Sequence, residues 1–128
     1  MRLLLDTHVL IWALAAPERL SAPARAILSR PQSELYVSVA SAWELAILEG
    51  LGRVRLGAPV DVIFSERISA LRIGLVALQL NHLAALAVLP SHHRDPFDRL
   101  LIATAHADDF TLISGDRQLA RYDVNVAW

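Results

Sequence analysis

The chain has 128 residues, a formal net charge of −1 and a hydrophobic fraction of 55%, enough for one domain with a real core and too little positive charge for an overall nucleic-acid-binding field. All 12 basic residues are arginine and none is lysine, which excludes chemistry that needs a lysine; with no cysteine there is no disulfide framework, thiol catalysis or cysteine-type zinc site. This composition suits a reducing cytosol, hence a cytoplasmic protein, and neither a targeting segment nor an apolar run of membrane-spanning length is present.

Leu3 to Leu5, after Arg2, form a short apolar run that ends at Asp6. Such a continuous run predicts a strand of a parallel sheet covered on both faces. Val9 to Leu14 then predict a helix that stops before Pro17. Asp6 falls at the carboxyl end of the first strand, the edge at which open α/β sheets bind ligands; the plainer alternative is a helix cap. Ser21 caps a second helix, with Pro23 in its first turn, running to about Ser29, and Leu35 to Val37 are a second strand followed by Ser38. Val39 to Glu49 are a third helix. Glu44 lies on its apolar face with Ala40, Ile47 and Leu48, so it is either a functional acid or a buried glutamate paired to an arginine. Trp43 is expected to pack, and Glu49 to be a solvated helix end.

Gly50 to Pro59 read as a loop in which Arg53 and Arg55 are surface charges or, alternatively, phosphate contacts. Pro59 to Arg72 predict a helix with Val60, Ile63, Phe64, Ile68 and Leu71 turned inward. Gly74 to Leu78 are a strand candidate, and Leu80 to Leu89 a short helix stopped by Pro90. His92 and His93 follow in a loop. Adjacent side chains diverge, so loop or substrate contacts are preferred to a metal-ligand role for them. Asp95-Pro96 is a helix-start signal, because the aspartate accepts from free N–H groups and proline fits the first helical position. In the helix that follows, Asp98 shares a face with Leu101, Ile102 and Ala105. A carboxylate on a core-facing stripe is costly without compensation. Asp108-Asp109 end this helix and are expected to be solvated. Thr111 to Ser114 are another buried strand, Asp116 starts a short helix over Arg117 to Arg121, and Val124 to Trp128 are a last strand.

Strands and helices alternate with short connections, which predicts an α/β fold with a central, mostly parallel sheet and helices on both faces. Asp6, Glu44, Asp98 and Asp116 are then expected along one edge of that sheet. Four carboxylates brought together need a counter-charge. Mg²⁺ or Mn²⁺, which prefer oxygen ligands, would supply it and would support hydrolysis of a phosphodiester.

Four motifs in order carry a resemblance that runs nearly end to end: Leu3-Leu4-Leu5-Asp6-Thr7-His8, Ser41-Ala42-Trp43-Glu44-Leu45-Ala46-Ile47, His92 to Ala103, and Ser114-Gly115-Asp116. The chain resembles PIN-domain ribonucleases of the VapC toxin type, from type II toxin–antitoxin systems. The resemblance implies a three-layer α/β/α fold and an Mg²⁺- or Mn²⁺-dependent endoribonuclease. The family's four acids match Asp6, Glu44, Asp98 and Asp116, as catalytic and metal-binding residues. It also implies an RNA substrate, a homodimer, and a cognate antitoxin that blocks the site. Asp95 is kept as the helix cap near that site; Thr7 and Ser114 are supporting groups that hold a water or a ligand, and Arg94, Arg99 and Arg117 are candidate RNA-backbone contacts or ion-pair partners of the acids. The chain departs from similar sequences at Leu48-Glu49, where they often carry a basic residue, and at Ser114-Gly115, where they often carry threonine and a larger residue.

Two other enzyme classes with strand-end acids fit poorly. A phosphoacceptor receiver domain needs a lysine, and a haloacid-dehalogenase-type phosphatase needs a second aspartate where His8 stands. The better rival is a catalytically silent PIN-like module that acts only through its protein partner. No aromatic-rich stacking face is visible in the sequence to name an RNA motif.

Overall fold

The computed structural model describes residues 1–128. Five parallel strands, β1 (Arg2–Leu5), β2 (Glu34–Ser38), β3 (Gly74–Val76), β4 (Thr111–Ile113) and β5 (Asn125–Ala127), form one sheet in the order β3-β2-β1-β4-β5. The register sets Leu4 beside Tyr36 and Leu112, and Leu5 beside Ile113. Six helices accompany the sheet: α1 (Thr7–Ala15), α2 (Ala22–Leu28), α3 (Val39–Gly50), α4 (three consecutive stretches, Val60–Val62, Ile63–Arg67 and Ile68–Ala70), α5 (Leu80–Ala87) and α6 (Pro96–Asp108).

The apolar run of β1 is buried on both sides, as a covered parallel strand must be. Leu3 and Leu5 join Val9, Leu10, Leu45, Ile63, Phe64 and Ile68 in the core under α1 to α4. Leu4, one residue out of phase, joins Leu101, Ile102, Ala105 and Leu112 in the core under α6. Helix, sheet and helix are thus three layers. The chain builds outward from β1 to β2 and β3, then crosses back to place β4 on the other side of β1. That reversal is the switch point at which ligands enter sheets of this kind, and it is where β1 delivers Asp6 and β4 delivers Ser114.

Two expectations fail locally. The middle of α4, Ile63–Arg67, is a π-helical turn. It widens the spacing so that Ile63 and Ile68, five residues apart, are both buried, while the helix ends at Ala70 and leaves Leu71 exposed beside Arg72 at φ 58°. Asp108 is not simply solvated. Its Oδ2 lies 2.6 Å from Nε2 of His82, which is 1% exposed. The Nδ1 of that ring accepts the Gln79 N–H at 3.1 Å, so the proton sits on Nε2 and is donated to Asp108. Asn81 donates to the other oxygen of Asp108 at 3.3 Å, and Arg2 to its backbone carbonyl at 2.7 Å. The carboxyl-terminal end of α6 is therefore fastened to α5 and to β1.

Candidate active site

Each of the strand-end and helix-start acids caps a helix or borders a cap. Asp6 accepts the Val9 N–H at 2.7 Å, Asp95 accepts those of Phe97 and Asp98 at 2.8 and 3.3 Å, and Asp116 accepts that of Gln118 at 2.9 Å. Capping and gathering are not rivals here. The same short turns after β1 and β4 that satisfy free helix amides also hold the carboxylates at the sheet edge. Glu44 reaches that edge from α3 and Asp98 from the first turn of α6.

Asp6, Glu44, Asp95 and Asp98 share one electrostatic field. Burial raises the Asp6 carboxyl above its ordinary value, against the opposing pull of Ser114, the Val9 amide and His8. Burial raises Glu44 as well; the Thr7 hydroxyl lowers it, and the charges of Asp95 and Asp6 add to the rise. Asp98 is pushed up to about 6, first by burial, then by Asp95, with Glu44 and Asp6 also raising it and His93 opposing. No arginine compensates them. The close ion pairs of the chain are all between histidine and aspartate, so Glu44 is not an arginine-paired core residue.

His93 enters this cluster, against expectation. Its Nε2 lies 3.1 Å from Asp98 Oδ2 and 3.0 Å from Asp116 Oδ2, and the ligand atoms of these three residues all lie within 4.8 Å of one another. The reasoning that neighbouring histidines diverge holds, since His92 instead meets the Tyr122 ring edge-on at 5.1 Å. One of the pair nevertheless reaches the acids. Thr7 and Ser114 are buried beside them: the Thr7 hydroxyl donates to Ser41 Oγ at 3.0 Å, and Ser114 Oγ accepts the Asp116 N–H at 3.1 Å.

Arg99 is neither an ion-pair partner nor free for a phosphate; it donates to the carbonyls of Pro90 and Leu89 at 2.8 and 3.3 Å and pins the loop before α6. Arg94 and Arg117 are exposed. Trp43 is not a packing residue. It is 61% exposed and touches the Phe97 ring edge-on at 5.0 Å.

Carboxylates clustered with no arginine among them, three held above their ordinary pKa despite the nearby histidines, form an oxygen-rich donor set that fits a hard divalent cation. Asp6, Glu44, Asp98 and Asp116 are the residues that could hold one, with the His93 nitrogen in reach of the last two.

The model of the PIN domain family matches residues 3–125. The chain belongs to the PIN-domain family. Among curated relatives, Ribonuclease VapC22 of Mycobacterium tuberculosis (strain ATCC 25618 / H37Rv) is 36% identical over 117 residues, covering 91% of this chain and 88% of that protein. Among solved PIN-like folds, VapBC2 from Rickettsia felis, bound to a DNA fragment from their promoter, superposes with a TM-score of 0.70 at 14% identity, covering 99% of this chain and 98% of that one. VapBC-1 from nontypeable Haemophilus influenzae gives 0.69 at 15% identity, with 99% and 97% covered. FitAcB from Neisseria gonorrhoeae gives 0.61 at 22% identity, with 97% and 95% covered. At such identities these likenesses bear on the fold, and they agree with the three layers of this PIN domain.

Proposed function

We propose that this PIN-domain chain is a divalent-metal-dependent endoribonuclease of the VapC toxin type, held inactive by a cognate antitoxin. The observation that carries this reading is the gathering of acids at the switch point of the sheet: Asp98 and Asp116 meet at His93, and Asp98 feels the charges of Asp6 and Glu44. The relationship to Ribonuclease VapC22 supports the reaction class.

Asp6, Glu44 and Asp98 would hold Mg²⁺ or Mn²⁺, and Asp116 would complete the donor set or orient the attacking water. The chemistry such an ion supplies is neutralisation of charge on the phosphodiester and activation of a water. The Thr7 hydroxyl favours the ionised form of Glu44, and Ser114 fixes the turn that presents Asp116. Asp95 seats the first turn of α6, and with it Asp98. His93 bridges Asp98 and Asp116 and limits their repulsion.

A protein partner has support of its own. Val39, Trp43, Ile47 and Leu51 recur at four-residue intervals along one side of α3, and all are exposed. An apolar stripe of that length is a surface for a partner to cover, an antitoxin or a second copy in a homodimer. The solved VapBC relatives support the antitoxin.

The test is cleavage of total cellular RNA by the wild type and Asp6→Asn, each with Mg²⁺, Mn²⁺ or EDTA. Discrete cuts by the wild type with metal, absent with EDTA and in the variant, are expected. Equal behaviour of the two proteins would remove the enzyme and leave the silent binding module.

A further inference from the structure

Beside the acids the fold assembles a ledge of rings from residues far apart in the chain. Trp12, on α1, packs against Trp128 with centroids 5.8 Å apart and planes inclined at 51°, and against His8 at 6.0 Å and 52°. Trp128 lies over the backbone of Gly115, where a β-carbon would stand 3.0 Å from the indole Cε2. Glycine before the fourth acid, a departure from similar sequences, is what lets this indole sit against the turn. His8, Trp12, Gly115 and Trp128, with Asp6 and Asp116, line an open cleft of about 280 Å³. Trp128 stays 37% exposed, and the Arg19 guanidinium stands 5.3 Å from the centroid of the Trp12 ring.

We propose that this cleft is a base-binding subsite, in which one unpaired nucleobase of the RNA stacks on the Trp12–Trp128 ledge and so sets the adjoining phosphate against Asp6 and Asp116. The inference rests on the ribonuclease reading and adds to it where the substrate is gripped. A net charge of −1 provides no overall basic field for an RNA backbone, so groups that do not depend on phosphate gain weight in the affinity. Aromatic side chains supply it, because every base has a π-face. The walls divide the cleft: the rings of Trp12 and Trp128 offer a planar base its π-faces, and Asp6 and Asp116 border the side on which its phosphate would meet the metal site. Arg19, against the outer ring, is placed to meet a neighbouring phosphate. Access requires an unstacked base, so single-stranded or looped RNA is the substrate class.

The test uses a short RNA spanning a cut mapped in total cellular RNA, and the same RNA made abasic at each position flanking that cut. Steady-state cleavage with Mn²⁺ is compared for wild type, Trp128→Ala and Trp128→Phe. Trp128→Ala is expected to raise KM about 5- to 100-fold, the range for loss of one stacked base, with a smaller change in kcat. Trp128→Phe keeps most of the affinity. One abasic position should cost the wild type a similar factor and cost Trp128→Ala nothing further. Circular dichroism checks folding, and Trp128→Leu, which keeps apolar volume without the π-face, replaces the alanine variant if that one does not fold. Unchanged KM in the variants, or an abasic penalty that persists in them, overturns the subsite while metal-dependent cleavage by the wild type stands. Absence of any metal-dependent cut by the wild type overturns the ribonuclease reading and the subsite with it.

Discussion

Replacing Asp98 by asparagine is expected to stabilise the metal-free protein and to abolish its response to Mn²⁺. The Asp98 carboxyl titrates at about 6 instead of its ordinary 3.8, because it is buried and faces Asp95, Glu44 and Asp6. Ionising it at pH 7 therefore costs the folded state on the order of 2–3 kcal/mol, at ~1.4 kcal/mol per tenfold change in proton affinity. The side chain is 28% exposed, so solvent screens part of this and about 1–2 kcal/mol is the working figure. The sign follows from the raised value. Below about 3.8 the group is protonated in folded and unfolded chains alike, and no penalty exists. As pH rises toward and through about 6, stability is lost. Asparagine mimics the neutral acid and escapes that loss. Thermal unfolding in EDTA should thus show Asp98→Asn melting about 3–8 °C above the wild type at pH 7, with the gap closing toward pH 4. Excess Mn²⁺ should reverse the order, raising the wild type by roughly 3 kcal/mol at a hundredfold excess over its dissociation constant and leaving the variant unmoved. A variant no more stable than the wild type in EDTA at pH 7, or a gap that persists unchanged into acid, would refute the account of a strained acid cluster.

Thr7→Val strips the hydroxyl that donates to Ser41 and lowers Glu44; urea unfolding should show a loss of about 1–2 kcal/mol, and the pH for half-maximal Mn²⁺ binding should move up, with Thr7→Ser close to wild type. His93→Ala removes the group that opposes the rise of Asp98, so calorimetric Mn²⁺ titrations across pH should find its binding midpoint displaced upward; a midpoint unchanged from wild type would mean that His93 does not act on the acids. His82→Ala leaves the Gln79 N–H and the Asp108 carboxylate without their partner and opens a small void, which should cost about 2–4 kcal/mol in urea unfolding.

Much of the scaffold is written in local pattern. The unbroken Leu3–Leu5 run, the Asp95-Pro96 start signal and the polar residues that close the strands depend on neighbours in the chain, and the strands, helices and capping acids follow them. What local pattern does not carry is contact across distance. Asp108 looks like a frayed, charged helix end until α5 brings His82 against it. Trp43 recurs with Val39 and Ile47 as a core stripe would, yet only the edge of the Phe97 ring of α6 is seen to meet it and Trp43 stays 61% exposed. In α4 the helical period finds Ile63, Phe64 and Ile68 in the core, and it fails at Leu71, beyond the π-helical turn and past the end of the helix. Trp128 reaches Trp12, which already neighbours His8 one turn away on α1, because β1 and β5 flank β4, so that part of the ring cluster is a product of topology and escapes a search for clustered aromatics in the sequence.

The fastening of α6 at both ends turns that helix into a gauge. Its amino-terminal turn is held by Asp95 and by the grip of Arg99 on the preceding loop, and its far end by His82, Asn81 and Arg2. Asp98 and Asp108 are ten positions apart, about 15 Å along the axis. With both ends seated, neither the length nor the rotational phase of the helix is free. One inserted residue between them would demand a turn of about 100° from one end or the other. Either Asp108 leaves its histidine or Asp98 swings out of the acid cluster. Changes in length are thus intolerable within α6, and a fault introduced there, far from the acids, would be felt as a misplaced carboxylate.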